Sequence, residues 1–240
     1  MWWPVRSEQL GQHKALSPGL PPPHPERLVG YGRIQGNPVS SPVLSLVEGN
    51  NAALLRAVAD LYLSPELTIA DLTYGKGVFW KHCPELVVTG SDLVTVPERP
   101  YDFTATPYED GAFDVAVLDP PYIHAPKNHI TETQYQGKTV GAHSMRDILN
   151  LYRQGLVEAS RIARQRVLVK TKDTIEHGKQ VWSHIHLHQQ ALELGLYPRD
   201  LFILKTQPPC ENRWAGSPQK HSRKNISYLW VFDKPKKRSR

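Results

Sequence analysis

The chain has 240 residues, a formal net charge of +6, 40% hydrophobic side chains and two cysteines. That is enough for one domain with a sizeable core, and two cysteines argue against a disulfide scaffold. No apolar run spans a membrane and no secretory leader is visible, so no membrane partner is expected and the cytoplasm is the expected compartment; the positive balance suits a polyanionic partner.

Eight of the 21 prolines fall in the first 42 residues, Pro21-Pro22-Pro23 among them. No period of 2 or 3.6 is visible there, so residues 1–46 read as a proline-rich extended arm. Trp2 and Trp3 would dock that arm on the body or present it to a partner. Residues 47–233 read as the folded domain. "NNAALLRAVADLYL" has helical spacing, with Asn50 or Asn51 as its cap. "LTIADL" is a predicted strand, "GVFWKHC" a short helix, "ELVVTGSD" a second strand, "YDFT" a third and "FDVAVLD" a fourth. "SMRDILNLYRQGLVEASRIA" is a long helix capped by Ser144, and "RVLVKTKD" is a fifth strand. "IEHGKQVWSHIHLHQQALELG" is a helix ended by Gly195. "RDLFILKT" and "ISYLWVF" are the last strands, expected to be antiparallel neighbours joined by a long loop, 207–225. Residues 234–240 form a basic tail.

Strands alternating with helices predict a largely parallel sheet with helices on both faces. The histidines are densest at His184, His186 and His188, where only His184 and His188 share a helix face. No cysteine or carboxylate completes a ligand pattern with them, so no metal is expected.

Three strand ends carry an acid. Asp71 closes the first strand, and Gly75 and Gly77 follow, where a backbone must bend tightly and approach a ligand. Asp92 stands near the spacing of about 20 residues beyond a glycine loop at which a ribose-binding acid is expected. Asp102-Phe103 puts an acid and a ring after the expected third strand, able to clasp an adenine. Together they predict a nucleoside-cofactor site at the carboxyl ends of the strands. A strand-end acid that only caps local backbone is the plain alternative.

The fourth strand ends in Asp119-Pro120-Pro121-Tyr122. Two prolines remove two ladder donors, so the chain leaves the sheet at Asp119. An exocyclic amine on a base must pyramidalise to attack a methyl group. The Asp119 carboxylate and the Pro120 carbonyl would each hold one N–H in that geometry, and Tyr122 would stack on the base.

"DLTYGKG", "SDL", "YDF" and "LDPPY", in this order, resemble the S-adenosylmethionine-dependent DNA amino-methyltransferase family, with a tetrad most typical of adenine-N6 enzymes. The resemblance covers about residues 50 to 233. It implies a Rossmann-like class I methyltransferase fold: a mostly parallel seven-stranded sheet with an antiparallel final strand. It also implies that Asp71, Gly75 and Gly77, with Thr73 and Tyr74 between them, surround the methionine part of S-adenosylmethionine. Asp92, with Leu93 beside it, would hold the ribose, and Asp102 and Phe103 would contact the adenine. Asp119, Pro120, Pro121 and Tyr122 would handle a target base flipped out of a duplex. The family's glycine loop reads Pro-Phe where Leu72-Thr73 stand here, so its aromatic packing role is lost or moves to Tyr74.

Two polar, basic loops are the candidate DNA contacts: 123–144, with Lys127 and Lys138, and 207–225, with Arg213, Arg223 and Lys224. The expected activity is site-specific methylation of adenine N6 in DNA, in a bacterial or phage-infected cell. RNA and cytosine-N4 methylation are the near rivals. A nicotinamide oxidoreductase would explain the glycine loop but not Asp119 to Tyr122, and it would want a third glycine. A non-catalytic nucleic-acid-binding protein would not need the tetrad.

Overall fold

The computed structural model describes residues 41–122, 144–206 and 218–235. Within them a seven-stranded sheet is built from β1 (Leu46–Glu48), β2 (Ile69–Asp71), β3 (Val88–Gly90), β4 (Phe113–Leu118), β5 (Ala163–Thr171), β8 (Tyr197–Lys205) and β9 (Ile226–Asp233). The order across the sheet is β1-β8-β9-β5-β4-β2-β3. β9 runs antiparallel to β5 and β8, and the other pairs are parallel. A separate hairpin joins β6 (Thr174–Glu176) to β7 (Lys179–Val181).

Helices cover both faces. On one, α2 (Met145–Ile162) and α3 (Ser183–Glu193) place Ile148, Leu156, Ala159 and Leu187 against Ala116, Leu118, Val167 and Val169. On the other, α1 (Asn51–Tyr62) packs Leu54, Leu55 and Val58 against Ile69, Val115, Val117 and Leu168. β2, β4, β5 and β9 feed both layers because successive side chains alternate across the pleat. The expected caps are in place: the Asn50 side chain accepts from the Ala53 N–H at 3.0 Å, and Ser144 Oγ accepts from the Asp147 N–H at 3.3 Å.

Three local expectations need correction. "YDFT" is not a strand. Asp102 Oδ1 accepts from both the N–H and the hydroxyl of Thr104, each at 2.8 Å, and this side-chain bonding turns the chain instead of extending it. The seventh strand is instead β1, at the opposite edge beside β8. "GVFWKHC" forms only a 3-10 turn, Val78–Trp80. "IEHGKQV" is the β6–β7 hairpin and not helix, because His177 and Gly178 both take positive φ (47° and 74°), as a two-residue hairpin turn requires. The helix starts only at Ser183, where the buried carboxylate of Asp173 accepts from the His184 N–H at 3.2 Å.

Below the amino end of β5 lies a buried ion pair. Arg166 and Asp233 are 3% and 1% exposed and 3.0 Å apart, and Arg199 meets the other oxygen of Asp233. Removing one partner of such a pair strands the other charge in the core, at about 3–5 kcal/mol. Asp233→Ala is therefore expected to lower unfolding free energy by that amount in urea titration. A loss below about 1 kcal/mol would mean Arg166 is satisfied without it.

Candidate active site

The carboxyl ends of β2, β3 and β4 enclose a cavity of about 240 Å³. Its walls come from the loop after β2 (Thr73, Tyr74, Gly75, Lys76), the 3-10 turn (Val78, Phe79), the loop after β3 (Asp92, Leu93, Val94) and the segment Tyr101-Asp102-Phe103. Asp119 and Pro121 after β4, Leu151 on α2 and Asn51 on α1 complete it. Thus Thr73, Tyr74, Gly75, Asp92, Leu93, Asp102, Phe103, Asp119 and Pro121 line one cavity. Asp71, Gly77, Pro120 and Tyr122 are not among the residues that line it.

The glycine loop is held from several sides. Gly75 and Gly77 have φ of 56° and 66°, a backbone that other residues adopt only with strain. Gly75 N–H donates to Asp92 Oδ2 at 3.3 Å, while Asp92 Oδ1 accepts from the N–H groups of Val94 and Thr95 at 2.9 and 2.8 Å. Asp92 therefore shapes two loops as well as facing the cavity. The Tyr74 ring lies flush on Gly90: a Cβ there would stand 2.4 Å from the ring, and one on Gly77 would stand 2.7 Å from its hydroxyl. Tyr74 thus takes up the aromatic packing role. Phe103 packs on Gly155 of α2, where a Cβ would come within 2.7 Å of the ring, which accounts for a glycine in mid-helix.

Asp71 turns away from the cavity. It is buried and accepts from Trp80 Nε1 at 2.7 Å and from the Thr73 N–H at 3.0 Å. Burial pushes its carboxyl up to about 7, with the nearby charge of Asp119 adding to the rise and those hydrogen bonds opposing it. Its place is structural, in fixing the turn that starts the glycine loop.

The tetrad is tied into the same frame. The Asp119 N–H donates to Thr73 Oγ1 at 2.6 Å, joining the two loops. The Asp119 carboxylate, 17% exposed, meets the Lys170 ammonium at 3.2 and 3.4 Å. The Tyr122 hydroxyl bonds to both Asp119 and Lys170. Pro120 is buried, and its carbonyl accepts from the Tyr152 hydroxyl of α2 at 3.4 Å. Asp119 lines the cavity and Pro120 does not, so Asp119 is the acceptor this arrangement offers.

Lys170 was not among the residues expected from sequence. Its one sequence signal is a lysine following Val167-Leu168-Val169 in a strand buried on both faces. Of the candidate nucleic-acid contacts, Lys127, Lys138 and Arg213 lie outside the described residues. So does the arm up to residue 40 and the tail from 236. Arg223 is exposed, and the Lys224 ammonium stands 5.9 Å above the ring of the exposed Trp182. His221 bonds the Gly178 carbonyl at 2.9 Å and so ties this segment to the β6–β7 hairpin. Among the described residues no helix is long and apolar enough to cross a membrane.

No protein-family profile matches the chain, and no curated protein matches its sequence. Solved structures do match. One is a chain of the complex between the Haloferax volcanii Trm112 methyltransferase activator and a protein described as a methyltransferase. It superposes with a TM-score of 0.50 at 14% identity, over 77% of this chain and 89% of that one. A Methanosarcina mazei S-adenosylmethionine-dependent methyltransferase gives 0.45 at 10% identity, over 73% and 96%. The Burkholderia thailandensis 1,6-didemethyltoxoflavin-N1-methyltransferase, solved with S-adenosylhomocysteine, gives 0.45 at 14% identity, over 77% and 76%. At these identities the likeness is one of fold: the chain has the Rossmann-like architecture of S-adenosylmethionine-dependent methyltransferases.

The raised carboxyl of Asp71 has a signed consequence. An unfolded aspartate ionises near pH 4, whereas the folded one keeps its proton to about 7. Its contribution to stability is full below pH 4, falls as pH rises to about 7 and is constant above. Urea titrations of wild type and Asp71→Asn from pH 4 to 8 should therefore diverge, with the wild type losing stability relative to the variant across that window. Parallel curves would show that Asp71 ionises alike in both states.

Proposed function

We propose that this protein transfers a methyl group from S-adenosylmethionine to the exocyclic N6 of adenine in DNA. The observation that carries this is one cavity shared by Gly75, Asp92, Asp102, Phe103 and Asp119. The residues fit such a cofactor. Bare backbone at Gly75 forms part of the wall, where a Cβ would have no heavy atom nearer than 3.9 Å. Asp92 and Asp102 are hydroxyl and amine acceptors, and each carboxylate has lone pairs beyond those its own loop uses. Tyr101 and Phe103 supply flat apolar surface for a base, and the Lys76 cation suits an amino-acid carboxylate.

When bound, the cofactor supplies a methyl group activated on a sulfonium. The chain's own part is to present an amine to it. Asp119 stands on the same wall and accepts one N–H of the amine, which draws its lone pair out of conjugation with the ring and toward attack. Tyr122, whose hydroxyl meets Asp119, closes the site beside it, so a base amine arriving at Asp119 takes the place of that hydroxyl. Thr73 bonds the Asp119 N–H and lines the cofactor side, so the donor and acceptor halves share one hinge.

DNA as the partner draws support from charge. β9 starts beside the end of β5, with Thr171 opposite Tyr228, so the segment before it lies at the same edge of the sheet as Asp119. The described part of that segment carries Lys220, Arg223 and Lys224, with the Lys224 ammonium 5.9 Å from the Trp182 ring. The nearby carboxylates of Asp173 and Glu176 are turned inward to His184 and to the Met145 N–H. Basic residues beside an exposed indole suit a phosphate backbone and an unstacked base.

Incubation with cofactor labelled in the transferred methyl, with duplex DNA or total RNA, followed by nucleoside analysis, tests this directly. N6-methyldeoxyadenosine from DNA is expected; label in RNA alone would move the substrate class. Asp92→Ala should weaken cofactor binding by about 2–3 kcal/mol in calorimetric titration, the scale of hydrogen bonds to a charged acceptor. Unchanged affinity would remove Asp92 from the site. Asp119→Ala should lose single-turnover methyl transfer while keeping cofactor affinity, because its bond forms with the attacking amine. Near wild-type transfer by that variant would overturn the assignment of Asp119.

A further inference from the structure

Lys170 lies where lysines are rare. It is 3% exposed, between the buried residues Val169 and Thr171 on β5. Its ammonium stands 4.6 Å from the centre of the Tyr122 ring and 5.8 Å from that of Phe79, a lining residue of the cavity. An ammonium taken out of water costs several kcal/mol unless it is paired and hydrogen-bonded. Among the described residues the groups around it are few. From the turn after β4 come the Asp119 carboxylate and the Tyr122 hydroxyl. From β2 comes Asp71, close enough to Asp119 for like-charge repulsion. From the residue just past β5 comes Lys172, whose ammonium is pushed down by burial and by Lys170. From α2 comes Tyr152, whose hydroxyl is 3.3 Å from the Lys170 carbonyl. Trp80, from the 3-10 turn, spends its indole N–H on Asp71.

We propose that Lys170 is a positioning residue: its ammonium is the inner counter-ion that holds the Asp119 carboxylate, with the Tyr122 hydroxyl, at the cavity wall. This rests on the methyl-transfer function proposed above and adds a part to it. Asp119 lies beyond the last ladder position of β4, followed by two prolines that cannot donate. One backbone bond, to Thr73, fixes its main chain, and Lys170 fixes its side chain. Both oxygens lie within reach of one ammonium, so the carboxylate plane is set and its remaining lone pairs are left for an incoming N–H. The Tyr122 hydroxyl, bonded to both, occupies the place from which that N–H must displace it.

The test uses the full chain and four variants: Lys170→Met, Lys170→Arg, Asp119→Asn and the Asp119→Asn/Lys170→Met double variant. In the wild-type background Lys170→Met should lower the urea midpoint, because it leaves a carboxylate without its partner. In the Asp119→Asn background the same change should raise the midpoint, because it removes a stranded buried cation. This reversal of sign does not depend on any activity. A lysine that only fills space would lower the midpoint in both backgrounds, and that outcome would overturn the pairing. In single-turnover methyl transfer, Lys170→Met should be slowed at least a hundredfold, with cofactor affinity within about threefold of wild type and partial recovery in Lys170→Arg. A Lys170→Met protein that transfers at the wild-type rate overturns the positioning role. Absence of transfer by the wild type would instead count against the methyl-transfer function, and the midpoints would still decide the pairing.

Discussion

Two carboxylates at adjacent strand ends govern this site. β2 and β4 pair in parallel with Asp71 opposite Val117, so Asp71 and Asp119 leave the sheet side by side at the edge of the core. Asp71 is buried, and Asp119 is 17% exposed at the cavity wall. The fold meets them with donors drawn from around the edge: the Trp80 indole and the Thr73 N–H for Asp71, and the Lys170 ammonium and Tyr122 hydroxyl for Asp119. Placing those donors fixes the glycine loop on one side and the proline turn on the other. The cavity is the space left between them. Thr73 serves both, with its backbone bonded to Asp71 and its hydroxyl to the Asp119 N–H.

Much of this architecture is legible in the sequence because its signals are local. Asn50 and Ser144 announce α1 and α2 through caps, and the apolar runs within "LTIADL", "FDVAVLD" and "RVLVKTKD" announce buried strands. The failures are also local in origin. "YDFT" has the composition of a strand, but Asp102 and Thr104 bond each other and turn the chain. The hairpin at 174–181 was masked by helix-forming neighbours, because His177 at positive φ is unusual and only Gly178 hints at a turn. β1 is three residues long, too short for any period to show, and it exists because the edge of β8 is there to pair with it.

The site divides in the same way. Acids and glycines at strand ends could be placed because parallel strands in an α/β sheet deliver their carboxyl ends to one side. What each acid does there was less readable. Asp92 and Asp102 spend part of their capacity on their own loops, and Asp71 faces the core. Lys170 could not be tied to Asp119 from sequence, since 51 residues separate them and their contact depends on the register of β4 against β5. The contact of the Pro120 carbonyl with Tyr152 likewise depends on where α2 stands against the sheet.

The most direct measurement is a crystal structure of the protein with S-adenosylhomocysteine, the demethylated product. Its adenine is expected against Phe103 and Asp102, its ribose at Asp92 and its sulfur toward Asp119, within the cavity bounded by Gly75. A product bound elsewhere, or one whose sulfur points away from Asp119, would contradict this placement.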